Sequence, residues 1–237
     1  MSVRIGLIGD ENETYPSHRE INAVRPLLGD DVESVWVATD SAQVRDLSGF
    51  DGVWLVPGSP YRDDRSAYAA VTWARVNNVP FLGTCGGMQY AVIEFVRNML
   101  GEPDASHAES DGVDATNVVT ALACSLHGEE REVRPVPGTR FATLVADRPF
   151  VGMHYCNYGP DPSQLDRLVA GGMVIEAMAD DAPVEVLQLP SNDFFVLSLF
   201  QPQVGALAGK PVHPLLREFV RCAAAPARSA RHGTISA

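Results

Sequence analysis

A chain of 237 residues, 46% hydrophobic and 20% charged, is long enough to bury a full core, and no apolar run approaches the ~18 residues needed to span a bilayer. Its 18 Lys and Arg against 30 Asp and Glu leave a formal net charge of −12, which argues against a nucleic-acid surface, because phosphate contacts need clustered cations. The 4 cysteines, Cys85, Cys124, Cys156 and Cys222, stand far apart with no C-x-x-C pair, so neither a zinc site nor a disulfide framework is expected, and in a reducing compartment all should be free thiols.

The N-terminus has no charged region followed by an apolar stretch and a small-residue cleavage site, so a cytoplasmic protein without a membrane segment is expected. Residues 4–9 read as a buried strand ending at a glycine. Ser17 with Glu20 has capping-box spacing and opens a helix through Ile21, Val24 and Leu27. Residues 32–39 read as a second strand, and a short helical segment closes at 47–50 before the next. A third strand follows at 51–56 and ends in Pro57-Gly58-Ser59-Pro60. Loops of this kind lie at the carboxyl edge of a parallel sheet, where ligands bind. Residues 63–78 are helical by period, and the βα alternation implies a parallel sheet. In the second half, residues 117–124, 132–135, 140–145, 151–158, 173–178, 184–189 and 195–200 read as short strands of mixed or antiparallel sheet. A last helix spans 214–222. The reading is one domain over 1–222, with a disordered Ala/Pro/Arg/Ser-rich tail at 223–237.

The chemistry centres on Gly83-Thr84-Cys85-Gly86-Gly87-Met88-Gln89. A short apolar strand runs through one cysteine into Gly-Gly and an apolar-periodic helix, the plan of a nucleophile elbow. The helix N-terminus would favour a thiolate and present backbone N–H groups to an oxyanion. Cys85 is the candidate nucleophile; the bland alternative is a buried structural thiol. Cys124, Cys156 and Cys222 fall in apolar contexts that suit core packing, Cys156 least clearly because it neighbours His154.

These residues, with Ile93-Glu94-Phe95-Val96-Arg97-Asn98, resemble the nucleophile segment of class I (triad) glutamine amidotransferases, most of all the glutaminase domain of CTP synthase. The resemblance runs from the first strand to the last helix. It implies an α/β fold, a flavodoxin-like and mostly parallel central sheet flanked by helices, with an added mixed or antiparallel region. Residues 56–61 resemble the family's oxyanion loop, which implies Gly58 and Gly86 as oxyanion donors and Ser59 and Tyr61 as substrate neighbours. Residues 104–109 resemble its glutamine-binding segment and offer Glu109 to a ligand ammonium, unless Glu109 is an ordinary charge of an acidic loop. Gln89 would face the pocket or, alternatively, solvent.

Phe200-Gln201-Pro202-Gln203 sits where the family has Phe-His-Pro-Glu. There the histidine takes the cysteine proton and the glutamate orients it. Gln201 has no titrating nitrogen near neutral pH, and Gln203 has no charge to stabilise an imidazolium. Likewise Asn157 stands where an arginine is expected to hold the substrate carboxylate, and Pro60 offers no N–H. His154 is the substitute base to test, against the alternative of a satisfied structural histidine.

The resulting expectation is a repurposed cysteine-nucleophile enzyme acting on a C–N bond of a glutamine-like or other amide, with ordinary glutaminase activity lost or much reduced. The alternative is a catalytically inactive homologue serving as a binding or regulatory subunit. A small-molecule substrate is implied, with no metal and no cofactor. Any synthase or ammonia acceptor is expected to be a separate protein, and the sequence is compatible with a homo-oligomer.

Overall fold

The computed structural model describes residues 2–180 and 182–225. In chain order the elements are β1 (Val3–Ile8), α1 (Pro16–Val24), β2 (Val32–Val37), β3 (Gly52–Leu55), α2 (Asp64–Val76), β4 (Phe81–Thr84), α3 (Gly86–Met99), β5 (Ser106–His107), β6 (Asn117–Ala121), β7 (Glu129–Pro135), α4 (Arg140–Leu144), β8 (Phe150–His154), β9 (Tyr158–Pro160), α5 (Leu165–Ala170), β10 (Val174–Met178), β11 (Val186–Gln188), β12 (Phe195–Ser198) and α6 (Pro214–Ala223). A 9-stranded sheet runs β2-β1-β3-β4-β12-β11-β10-β7-β8, and a 3-stranded sheet runs β5-β6-β9. β2, β1, β3, β4 and β12 are mutually parallel. From β11 onward the pairing is antiparallel. The expected α/β class, a mostly parallel sheet with flanking helices and an added antiparallel region, holds.

Alternation along the central strands divides the core into two layers, as the period of two requires. Ile8, Val53, Leu55, Phe81, Phe195 and Leu197 pack toward α2 and α3. Leu7, Trp54, Leu82 and Val196 pack toward Ile21 and Val24 of α1 and Leu215, Leu216 and Phe219 of α6. α3 is buried continuously from Gly86 to Val96. Its Glu94, fully buried, is held by Arg75 of α2 at 2.6 Å.

Local readings differ from the expectation in five places. α1 starts at Pro16, with Tyr15 at the N-cap and no side-chain cap, because proline fits a first turn that has no N–H to lose. Ser17 therefore lies inside the helix, and the Glu20 carboxylate accepts instead from the backbone N–H groups of Gly205 (3.2 Å) and Leu207 (3.0 Å). The helical segment expected to close at 47–50 is a 3₁₀ turn at Ala42–Arg45 and ends before that point. The strand expected at 140–145 is helix α4: Thr139 caps it by accepting from the Ala142 N–H at 3.2 Å, and that cap outweighs the strand preference of its aromatic and β-branched residues. The strand expected at 151–158 breaks after His154 and resumes at Tyr158. The last helix runs one residue past its expected end, to Ala223, and the tail expected to be disordered lies, from 226 on, outside the described residues. Among the described residues no helix is long and apolar enough to cross a membrane.

Candidate active site

β4 leads into the elbow. The Cys85 N–H donates to the Ser198 carbonyl at 2.8 Å, which ties the turn to the end of β12. Cys85 itself has φ 52° and ψ −112°, a left-handed-side conformation that side chains rarely adopt and that concentrates at functional turns. The turn closes only because α3 approaches β3 without a side chain between them: a Cβ at Gly87 would overlap the Leu55 carbonyl oxygen.

The neighbouring loop is built the same way. Gly58 has φ +121°, and a Cβ there would sit 3.0 Å from His18 Nε2. His18 Nδ1 accepts from the Asn12 N–H (2.9 Å), which places the ring proton on Nε2, where it donates to the Pro57 carbonyl at 2.7 Å. Burial lowers the His18 pKa and keeps the ring neutral, as this pattern demands.

Between these loops lies a cavity of about 270 Å³, bounded by Tyr15, Pro16, Ser17, Pro57, Gly58, Ser59, Cys85, Gln89, Glu109, His127, Tyr155, Cys156, Asn157, Tyr158 and Gln201. Of the residues proposed from sequence, it brings together Cys85, Gly58, Ser59, Gln89, Glu109, Asn157 and Gln201. Gly86 occupies the first turn of α3, against Ser59.

Gln89 is a strut. Its Nε2 donates to the Tyr158 carbonyl at 2.7 Å. Its Oε1 accepts from His107 Nε2 at 3.1 Å, because His107 Nδ1 is already accepting from the Glu109 N–H. The Ser59 hydroxyl approaches the same oxygen at 3.4 Å. Burial holds the His107 pKa at about 4, so the imidazole is neutral near pH 7. Burial also pushes the Glu109 carboxyl up.

Gln201 and Gln203 are buried together, 2% and 1% exposed. The Gln203 amide donates to Gln201 Oε1 at 2.9 Å. Gln201 Nε2 and Gln203 Oε1 have no hydrogen-bond partner among the described residues. The Gln201 backbone N–H donates to the Met153 carbonyl at 2.8 Å, fixing this segment beside β8.

The structure corrects the sequence reading at several positions. Cys85 and Cys156 are joined in a disulfide across a sequence separation of 71. Their approach is tertiary, since the segment after β8 folds back over the elbow, and no local spacing announces it. Cys124 is exposed, against the expectation of core packing, whereas Cys222 is partly exposed and packs against the core from α6. Tyr61 turns away from the cavity: it is 5% exposed, and its hydroxyl donates to the Val56 carbonyl at 2.5 Å. His154 also lies outside the cavity wall. It is fully buried, with Nε2 held by the Glu185 carboxylate at 2.9 Å. Residues facing outward alternate with buried ones along β8, so the strand places this ring in the core while Tyr155 and Cys156 line the site.

Sequence reasoning missed His127, Tyr155 and Tyr15 as wall residues. Nor did it single out His107, which in β5 orients Gln89. Aromatic and imidazole side chains in loops around a proposed elbow were the available signal.

The family described as "Glutamine amidotransferase class-I" matches residues 21–185. CTP synthase from Staphylococcus aureus (strain JH9) is 30% identical over 211 residues, covering 80% of this chain and 38% of that protein; the chain thus spans well under half of this curated relative. The Trypanosoma brucei CTPS glutaminase domain with bound acivicin superposes with a TM-score of 0.80 at 25% identity, covering 94% of each chain. A glutamine amidotransferase from Thermotoga maritima shares the fold, with a TM-score of 0.58 at 14% identity and coverage of 94% of this chain and 96% of that one. A family match across most of the chain, and a glutaminase domain superposing along nearly its whole length, agree with an elbow cysteine set over a cavity at the end of the parallel strands: the chain belongs to the class I glutamine amidotransferase family and is similar to the glutaminase domain of CTP synthase.

Proposed function

We propose that this is a non-standard member of the family: a cysteine-nucleophile enzyme acting, once Cys85 is reduced, on the C–N bond of a glutamine-like or other amide, with ordinary glutaminase activity lost or much reduced. The observation that carries the reading is the buried Gln201–Gln203 pair, of which Gln201 lines the cavity and Gln203 donates to it from behind. Amide hydrolysis requires a proton to leave the thiol and a proton to reach the departing amine, and two carboxamides bonded to each other supply neither transfer near neutral pH.

The wall favours an unusual amide. Among the described residues no Lys or Arg lines the cavity, and Asn157, whose Oδ1 accepts from the Ser125 hydroxyl at 2.7 Å, offers no charge to a substrate carboxylate. A neutral or amine-bearing amide therefore suits the site better than free glutamine. Gly58 and Gly86 would supply oxyanion N–H groups, Ser59 and Gln89 would shape the wall, and Glu109 would meet an amine. His154 serves the site as a buried partner of Glu185 beneath it. We place the protein in the cytoplasm, with a synthase or other acceptor as a partner. A second reading, a binding or regulatory subunit without turnover, is favoured by the disulfide that occupies the Cys85 sulfur.

The test is the double variant Gln201→His/Gln203→Glu, assayed under reducing conditions for glutamate release from glutamine. An increase of about 10²-fold or more over the parent, abolished by Cys85→Ala, supports a site that lost only its base. Activity equal in parent and variant, whether high or absent, overturns that account.

A further inference from the structure

The disulfide joins the elbow nucleophile to the opposite wall of its own cavity, and both cysteines line the space that a ligand would enter. Their Cα atoms lie 6.1 Å apart, a separation a disulfide can span. Neither Cys124 nor Cys222 shares this setting.

Thiol–disulfide exchange and amide hydrolysis make different demands on such a site. An amine leaves only when protonated, so hydrolysis depends on a general acid and base. A thiolate leaves as it is, and exchange needs only an attacking thiolate and a stable leaving one. Cys85 stands at the N-terminus of α3, a helix of 14 residues whose unsatisfied N–H groups favour negative charge on the sulfur. The replacements at Gln201 and Gln203 therefore disable one chemistry and leave the other intact.

We propose that Cys85 and Cys156 form a two-electron redox couple that exchanges with a small dithiol or disulfide entering the cavity. This inference is independent of the amide chemistry. In the reducing direction, one thiolate of the small dithiol attacks Cys156 Sγ, the protein S–S bond breaks, and Cys85 leaves as a thiolate. The second thiolate of the dithiol then attacks its own partner sulfur in the mixed disulfide and releases Cys156, which takes a proton from solvent. The small dithiol is oxidised to its disulfide and the protein reduced to two thiols. The reverse sequence, with a small disulfide as oxidant, closes the couple and withdraws the nucleophile from any acyl chemistry.

The experiment uses the full chain carrying Cys124→Ser and Cys222→Ser, equilibrated at neutral pH with mixtures of reduced and oxidised dithiothreitol. Samples are acid-quenched, alkylated and mapped by mass spectrometry, with no amide substrate present. The expected result is one reversible transition in which the Cys85–Cys156 peptide appears and disappears while circular dichroism stays constant. After reduction, Cys85 should alkylate at least tenfold faster than Cys124 of the parent chain. In Cys156→Ala, oxidised glutathione should leave glutathione on Cys85. Absence of the cross-linked peptide in the most oxidising mixture overturns the proposal. So does a cross-link that resists excess dithiol until the protein unfolds. The parent titration decides the matter even if Cys156→Ala fails to fold, and a failure of amide turnover leaves this readout untouched.

Discussion

His107 Nε2 donates to Gln89 Oε1 at 3.1 Å, while its Nδ1 accepts from the Glu109 backbone N–H at the same distance. Only the neutral imidazole satisfies both bonds, so protonation must break one of them. Because the folded pKa of about 4 lies below the ordinary value of 6.5, the unfolded chain binds the proton more tightly. Stability is therefore complete above pH ~6.5 and falls as pH drops toward 4. His213, also held at about 4 by burial, adds to the same fall. Glu109 works in the opposite sense, since its raised pKa makes stability fall as pH rises through its own titration. Urea midpoints at pH 7.5 and 5.0 should give a loss at pH 5.0 of roughly 2 kcal/mol from His107. The difference should shrink in His107→Gln, which keeps a donor to Gln89.

Glu94 is the buried charge most exposed to mutation. Its carboxylate receives Arg75 at 2.6 Å, the Thr72 hydroxyl at 2.9 Å and Asn98 at 3.0 Å. Arg75→Leu leaves it unpaired and should cost about 3–5 kcal/mol in chemical denaturation. The double variant Arg75→Leu/Glu94→Leu should recover most of that loss. A loss under about 1 kcal/mol for the single variant would mean that water reaches the pair.

Gly87→Ala forces its Cβ into the Leu55 carbonyl oxygen. Backbone cannot yield as a flexible side chain can, so the variant should be insoluble or lose cooperative unfolding, as read by thermal circular dichroism. Gly101→Ala meets nothing within 4 Å, though its φ is +76°, and should cost about 1 kcal/mol from backbone strain alone.

Asn157→Arg puts a cation into a wall that holds no Lys or Arg among the described residues. Calorimetric titration of the reduced protein should show glutamine binding strengthened about tenfold or more, since a charge-assisted bond to a carboxylate contributes roughly 1.5–3 kcal/mol. Unchanged affinity would place the ligand elsewhere than beside Asn157.

The parallel half was legible because β1, β3 and β4 are short apolar runs that stop close to a glycine, proline or helix cap, and the elbow was legible because Gly83, Gly86 and Gly87 crowd a single cysteine. The antiparallel half was less so. Thr139 turned an expected strand into α4, and a break after His154 turned one strand into two. Tyr61 and His154 were misplaced for a common reason: strand and loop positions fix which face a residue occupies only after the backbone path is known. The Cys85–Cys156 bond depends on that path altogether.

The two sides of the cavity are made of different material. One is α3, sunk in the core, braced to α2 through Arg75–Glu94 and through the Tyr90 hydroxyl on Asp64 at 2.6 Å. The other consists of segments without regular structure, the stretch from Tyr155 to Asn157 and the turn at Tyr15 ahead of α1. A helix sunk in the core thus holds the cysteine opposite a wall of irregular backbone, and a change of substrate during divergence needs only new side chains on that wall. Selection can retune what the cavity accepts there while the register of the elbow stays untouched.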